Sequence, residues 1–282
     1  MKIWRNILIE RKNSVLALIT SYNPDERLEQ LVLSVLKDPV VSRVLIYDNN
    51  SMTGKLVLQK IRDNLDRVIV HYSSTNDGLG RAFNTLINDY WLGENFIITF
   101  DQDSKIQSNC ITQLQKTLSR ENLKNPRIVS IGPRILAENI KEERKEGNQK
   151  LRRKTILITS GNLFLYDAYK EVQGFDETYF IDCLDYEFCL RLRSHGYKLI
   201  QDRNIFLYQD IGEEKLGIRT HSNFRMYYMF RNHIRLTKTY FLKFPIYITL
   251  ENLLFLNYFN KWRKYNSKED VRIIMRKAIK EA

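Results

Sequence analysis

Four short apolar runs, at residues 15–20, 44–47, 68–72 and 96–100, each break off into a polar cluster, and the stretches between them carry apolar residues at helical spacing. Runs of this length rich in Val, Ile and Phe read as strands. Strand–helix alternation at this spacing implies right-handed crossovers and a mostly parallel sheet, whose ligands sit beyond the carboxyl ends of the strands. The clusters Ser21-Tyr22-Asn23-Pro24, Asp48-Asn49-Asn50-Ser51, Asn76-Asp77-Gly78-Leu79-Gly80-Arg81 and Asp101-Gln102-Asp103-Ser104 all fall on that edge. The opposite strand ends are less distinctive, so a shared ligand site explains the clusters better than independent turns.

The last cluster is the most demanding, because two carboxylates one residue apart repel unless a cation neutralises them. A strand-end metal site answers that need; an Asp-rich turn is the plainer reading. Leu28, Leu31, Val32 and Val35 predict one helix, and a second over 54–64 has Leu56 and Ile61 inward. A third runs from about 81 to 91, after glycines that permit a tight turn, and a fourth from 110 to 123. A strand at 127–131 is closed by Gly132-Pro133-Arg134, residues 138–154 read as a solvated loop, and 156–164 reads as a strand. Its Ser160-Gly161 interruption either lets backbone approach a ligand or makes a bulge. Beyond it, Leu184, Phe188 and Leu192 bury one face of a helix and leave Glu187, Arg191 and Arg193 more exposed. Asp182 and Asp185, at the start of that helix, either cap it or offer a base.

With 282 residues, 43% of them hydrophobic, the chain can build one large α/β domain or two small ones. Its formal net charge of +12 calls for an anionic partner: nucleic acid, an acidic membrane surface or a phosphorylated small molecule. The basic residues lack the fingerprint of a nucleic-acid reader, and no Walker-type loop supports nucleotidyl transfer. No nucleic-acid partner is expected. Cys110, Cys183 and Cys189 are too few and too irregular for a disulfide framework or a paired zinc site, which makes a reducing, cytoplasmic location the default. Charged residues break up the apolar positions around Ile7-Leu8-Ile9, so no signal peptide is read there. Residues 241–259 are apolar but too interrupted to span a bilayer. Val271, Ile274, Met275 and Ala278, with basic residues from Lys261 to Lys280 around them, predict an amphipathic segment. It either lies on an anionic membrane or packs on the catalytic domain with a solvated basic face.

Six of these stretches, in order, resemble the motifs of bacterial family 2 glycosyltransferases: Ser21-Tyr22-Asn23-Pro24; Tyr47-Asp48-Asn49-Asn50-Ser51; Gly78-Leu79-Gly80-Arg81-Ala82-Phe83-Asn84; Asp101-Gln102-Asp103-Ser104; Ser160-Gly161-Asn162; and Phe175-Asp176 through Ile181-Asp182, Asp185, Glu187 and Arg191. The Asp-Gln-Asp-Ser form is most similar to the rhamnosyltransferase branch. The resemblance spans about residues 14–235 and implies a GT-A α/β fold, with a nucleotide-sugar half over about 14–104 and an acceptor half over about 105–235. Residues 236–282 would follow as a basic amphipathic helical segment. It also implies sugar transfer with inversion, of L-rhamnose from dTDP-L-rhamnose, onto a lipid-linked saccharide in O-antigen or capsule synthesis. A UDP-hexose donor is the alternative. The enzyme would work in the cytoplasm, peripherally on the inner face of the membrane.

Residue by residue, the resemblance assigns Asp101 and Asp103 to a Mg²⁺ or Mn²⁺ ion, which absorbs the leaving group's charge without proton transfer. Tyr22, Asn23, Asp48, Asn50, Gly78, Gly80, Arg81, Asp101 and Gln102 would line the nucleotide site. Arg81 reaches the pyrophosphate or is simply an exposed helix arginine. Asp185 would be the general base, with Asp182 in reserve. Where related enzymes often carry a metal-site His, this chain has Gln209, so by the resemblance either Asp210 or His221 completes the metal shell or the metal is held more weakly.

Overall fold

The computed structural model describes residues 13–137, 150–209, 214–215, 218–219 and 222–282. Strands β1 (Val15–Ser21), β2 (Val41–Asp48), β3 (Val68–Tyr72) and β4 (Phe96–Asp101) are linked by helices α1 (Glu26–Leu36), α2 (Lys55–Asn64) and α3 (Gly78–Tyr90). They pair in parallel in the order β3-β2-β1-β4, as the alternation requires. Successive β1 residues face opposite ways: Val15, Ala17 and Ile19 join one apolar layer, Leu16 and Leu18 the other. Both faces are therefore covered, which is why the run is apolar throughout rather than alternating.

The chain continues through β5 (Lys105–Ile106), α4 (Cys110–Lys124), β6 (Ile128–Ala137), β7 (Leu151–Lys154), β8 (Asn162–Leu165), α5 (Tyr166–Glu171), α6 (Leu184–Ser194) and β9 (Lys198–Gln209). These strands extend the sheet beyond β4 in the order β8-β6-β9-β5, with β7 also on β9. Strand β8 runs antiparallel to both β4 and β6, whereas β6 and β9 are parallel. The sheet is thus mixed, because antiparallel neighbours need no helical crossover and this half lacks the strict alternation of the first. A small ribbon of β10 (Glu214–Lys215) and β11 (Ile218–Arg219) precedes helices α7 (Asn223–Tyr240), α8 (Pro245–Trp262) and α9 (Lys268–Glu281).

Several local expectations change. In α2 the inward residues are Leu58 and Ile61, and Leu56 is 80% exposed. Strand β6 continues through Gly132-Pro133-Arg134 to Ala137, since its partner β9 absorbs the irregularity in a register shift at Pro133/Arg134. Residues 151–154, taken as the end of a loop, pair with β9 instead; 138–149 lie outside the described residues. Strand structure expected over 156–164 is confined to β8, and Gly161 before it turns at φ 78°. Helix α7 runs through the boundary expected at residue 235.

The apolar positions of the tail meet protein. Ile274 and Ala278 are buried with Met226, Tyr227, Phe255, Phe259 and Trp262, and Val271 and Met275 pack against the same cluster. Of the two readings of this segment, packing on the preceding helices is the one the structure adopts. Among the described residues, no helix is long and apolar enough to cross a membrane.

Candidate functional site

A cleft of ≈720 Å³ opens at the carboxyl edge of the sheet, where β1 and β4 end beside the segment leading into α6. One wall is built on Asp101, the last residue of β4. Its Oδ2 accepts hydrogen bonds from Ser160 Oγ (2.7 Å) and Gln209 Nε2 (2.7 Å), and its N–H donates to Ser160 Oγ (3.0 Å). The Ser160-Gly161 turn thus serves to orient this carboxylate; a Cβ at Gly161 would lie 2.8 Å from Pro133 Cγ. Gln102 holds the end of β1, accepting from Tyr22 N–H (2.9 Å) and donating to Tyr22 O (3.1 Å). Asp103 lines the same wall.

The facing wall is residues 181–186. Asp182 and Cys183 both have left-handed backbones (φ 59° and 61°), a costly conformation for side-chain-bearing residues that surrounding contacts must impose. Helix α7 imposes it: Asn232 Nδ2 donates to the carbonyls of Ile181 (2.9 Å) and Asp182 (2.8 Å). Arg225 completes the clamp with a fork on the Asp182 carboxylate (Nε 3.1 and 3.0 Å, Nη2 2.8 Å). Asp182 is thereby ion-paired with Arg225. Asp185, in the first turn of α6, accepts from the Tyr186 N–H (3.0 Å). Burial, reinforced by the charges of Asp101 and Asp182, pushes its carboxyl up to about 7, although that N–H pulls the other way. A carboxyl with such a value is poised to take a proton near neutral pH. Glu187, expected to be exposed, is 4% exposed and accepts from Arg191 (2.9 Å) and Tyr240 (2.8 Å), because α7 covers this face of α6.

The remaining candidates surround the cleft in different ways. Tyr22 lines it, whereas Asp48 is buried behind it, accepting from the Ser51 hydroxyl and N–H. Asn23 and Asn50 are left-handed (φ 50° and 59°), and Asn23 Oδ1 caps the N–H groups of Met52 (2.8 Å) and Thr53 (3.1 Å). Gly78 and Gly80 permit close packing: added Cβ atoms would lie 2.5 Å from Phe180 O and 2.9 Å from Asp176 O. From residues 78–81, Leu79 is the one that lines the cleft. Arg81 pairs with Glu177 (3.0 Å) and Asp77 (3.9 Å). His221 and Asp210 lie outside the described residues, and among the described residues no group of three His, Cys, Asp or Glu converges on a metal position.

Three further residues emerge from the fold. Arg225 and Asn232, seven apart on one face of α7, set the left-handed turn, and that spacing was the available signal. Ser21 lines the cleft 1% exposed, and its Oγ has no partner among the described residues. A buried hydroxyl without a partner is costly unless a ligand meets it, and nothing in its local sequence distinguishes it from a turn serine.

Residues 17–172, over half of the chain, match the model of glycosyl transferase family 2. The chain is 26% identical over 261 residues to the dTDP-rhamnosyl transferase RfbF of Shigella flexneri, covering 86% of each protein. Its fold resembles GalNAc-T7, solved with UDP, GalNAc and Mn²⁺ (TM-score 0.65, 15% identity, 83% of this chain). The chain spans about half of that protein, 49% of its length. It also resembles S. aureus TarS 1-349 in complex with UDP-GlcNAc (TM-score 0.57, 14% identity, 79% of this chain and 66% of that one). The sheet and its flanking helices form the GT-A arrangement.

Proposed function

The chain belongs to glycosyl transferase family 2, and on that basis we propose that it moves L-rhamnose from dTDP-L-rhamnose, with inversion, onto a lipid-linked saccharide in surface polysaccharide synthesis. The donor assignment draws on the Asp-Gln-Asp-Ser sequence and on the dTDP-rhamnosyl transferase to which the chain is similar. The observation that carries the chemistry is the pairing of two walls. Asp101 and Asp103 lie on one, and Asp185, raised to about 7, on the other. Asp185 takes the proton of the acceptor hydroxyl as that oxygen attacks the anomeric carbon, and dTDP departs on the opposite face. Asp182, held by Arg225, shapes the wall and adds negative charge beside Asp185 rather than acting as the base.

The donor set suits a divalent ion. Mg²⁺ and Mn²⁺ favour oxygen ligands, and Mg²⁺ is commonly held by one or two carboxylates together with substrate phosphates, so Asp101 and Asp103 are sufficient protein ligands without a third acidic group. Ser160 and Gln209 fix the orientation of Asp101 for that task. When bound, the ion would offset charge growing on the departing diphosphate. Ser21, Tyr22 and Gln102, at the ends of β1 and β4, meet the nucleotide side of the donor.

Thermal-shift titration of the purified chain with nucleotide sugars tests this reading. dTDP-rhamnose should raise Tm in the presence of Mn²⁺, and Asp103→Ala should remove the metal-dependent part. A response to UDP-sugars alone would replace the donor, and equal shifts with and without the ion would remove Asp103 from metal binding.

A further inference from the structure

Helix α8 has one face in the protein and one unlike the surface of a water-facing helix. Inward, Ile248 and Tyr247 pack on the core cluster that contains Cys183 and Leu184 of the cleft wall. Phe255 stacks on His233, another cleft residue, with ring centroids 4.0 Å apart and planes at 15°. Outward, Ile246, Leu250, Leu253 and Leu254, at i, i+4, i+7 and i+8, are 78, 55, 58 and 63% exposed. Single exposed apolar side chains are ordinary, but four on one stripe make a continuous apolar surface.

We propose that this stripe of α8 is the surface by which the protein docks on an anionic lipid bilayer, lying flat in the headgroup region. Charge selects this occupant. Exposed Lys243 precedes the stripe, and exposed Lys261, Arg263 and Lys264 follow it. On a chain of net charge +12, a second copy would meet these cations with its own, whereas acidic headgroups attract them. From Ile246 to Leu254 the helix advances about 12 Å, which suits a helix in the plane of the interface rather than across it. The tail helix α9 does not supply such a stripe, since Val271, Ile274, Met275 and Ala278 pack on the α7–α8 cluster and its exposed Ile273 and Ile279, six positions apart, do not share a face. Because the inner face of α8 packs on the wall that carries Asp185, docking would hold that side of the cleft beside the bilayer. Delivery of a lipid-linked acceptor to Asp185 rests on the proposed function; the docking surface does not.

Flotation of the full-length chain with vesicles of equal parts phosphatidylglycerol and phosphatidylcholine is the test. The protein should float with them, and far less with pure phosphatidylcholine. Leu250→Glu/Leu254→Glu should weaken partitioning about a hundredfold, while Leu250→Met/Leu254→Met should not. Circular dichroism and the dTDP-rhamnose thermal shift of the Glu variant should match those of the unmodified protein, showing an intact fold and cleft. Absence of flotation, or flotation unaltered in the Glu variant, would overturn the proposal. So would a lipid-independent dimer that the Glu variant abolishes, because a second copy would then be the occupant. Flotation without any nucleotide-sugar response would instead count against the proposed function and leave docking intact.

Discussion

Asp185 illustrates how a site residue can work against the stability of its own fold. A carboxyl raised from about 3.9 in the unfolded chain to about 7 in the native one holds its proton more tightly when folded. Its contribution to stability is therefore fully present below about pH 4 and is lost as pH rises towards 7. Asp185→Asn should accordingly raise Tm relative to the unmodified protein at about pH 8, with the gap closing near pH 4. The same substitution should lower sugar transfer by about 10²–10⁴-fold while dTDP binding persists. Transfer by the unmodified protein should rise with pH through about 7, as the base form appears. Near-normal turnover by the Asn variant would remove Asp185 from the mechanism, and equal melting curves at all pH values would show that its carboxyl is not perturbed. Neither property was legible from the residue itself. The pattern showed two acids at a helix start; which one was buried and which was paired depended on Arg225, 43 positions from Asp182.

At the scale of elements, the start of α3 separates packing from ligand binding. Gly78 is left-handed (φ 78°) and approaches the Phe180 carbonyl so closely that a Cβ would stand 2.5 Å from it. Gly78→Ala combines backbone strain with a clash against main chain, and should cost about 2–4 kcal/mol in a denaturant titration. Arg81→Ala, in contrast, removes an exposed pair with Glu177 and should change stability by less than about 1 kcal/mol. If Arg81 reaches the pyrophosphate of the donor, the Ala variant will also bind dTDP more weakly; unchanged affinity would leave it a surface ion pair. The glycine pattern was readable in sequence as a tight turn before a helix. Its partner was not, because residues 176–180 approach from nearly a hundred positions away, so the packing demand on Gly78 and Gly80 could not be read beside the nucleotide-site role that the resemblance implies for them. Glu187 misled in the same manner: helical spacing marked it as outward until Tyr240 of α7 closed over it.

Taken whole, the molecule is an α/β sheet with two apolar layers and a third cluster built by its last three helices. The tail contributes to that cluster through Ile274 and Ala278, while Arg235 Nη2 donates to Glu281 O (2.8 Å). Removing residues 263–282 should therefore destabilise the chain by about 3 kcal/mol and lower Tm, before any effect on membrane partitioning is considered. An unchanged melting curve would mean that α9 contributes nothing to the fold. This bears on how truncations are read, since loss of vesicle binding by a tail deletion can arise from a loosened α7–α8 pair.

The strand–helix alternation of the first hundred residues, the gathering of polar clusters at the carboxyl edge, and the placing of Asp101 and Asp103 at the end of a strand on that edge were determined by sequence alone. Such features are local: strand periodicity, turn chemistry and the point where an apolar run stops are written within a few residues of one another. Tertiary structure decided the mixed second half of the sheet, the pairing of Asp182 with Arg225, the burial that raises Asp185, and which helix is left with an apolar face. Each of these depends on segments that meet only after folding, as Asp101 and Gln209 do across 108 positions. Burial and pairing set charge and proton affinity, and neither is a property of a residue until the rest of the chain has closed around it.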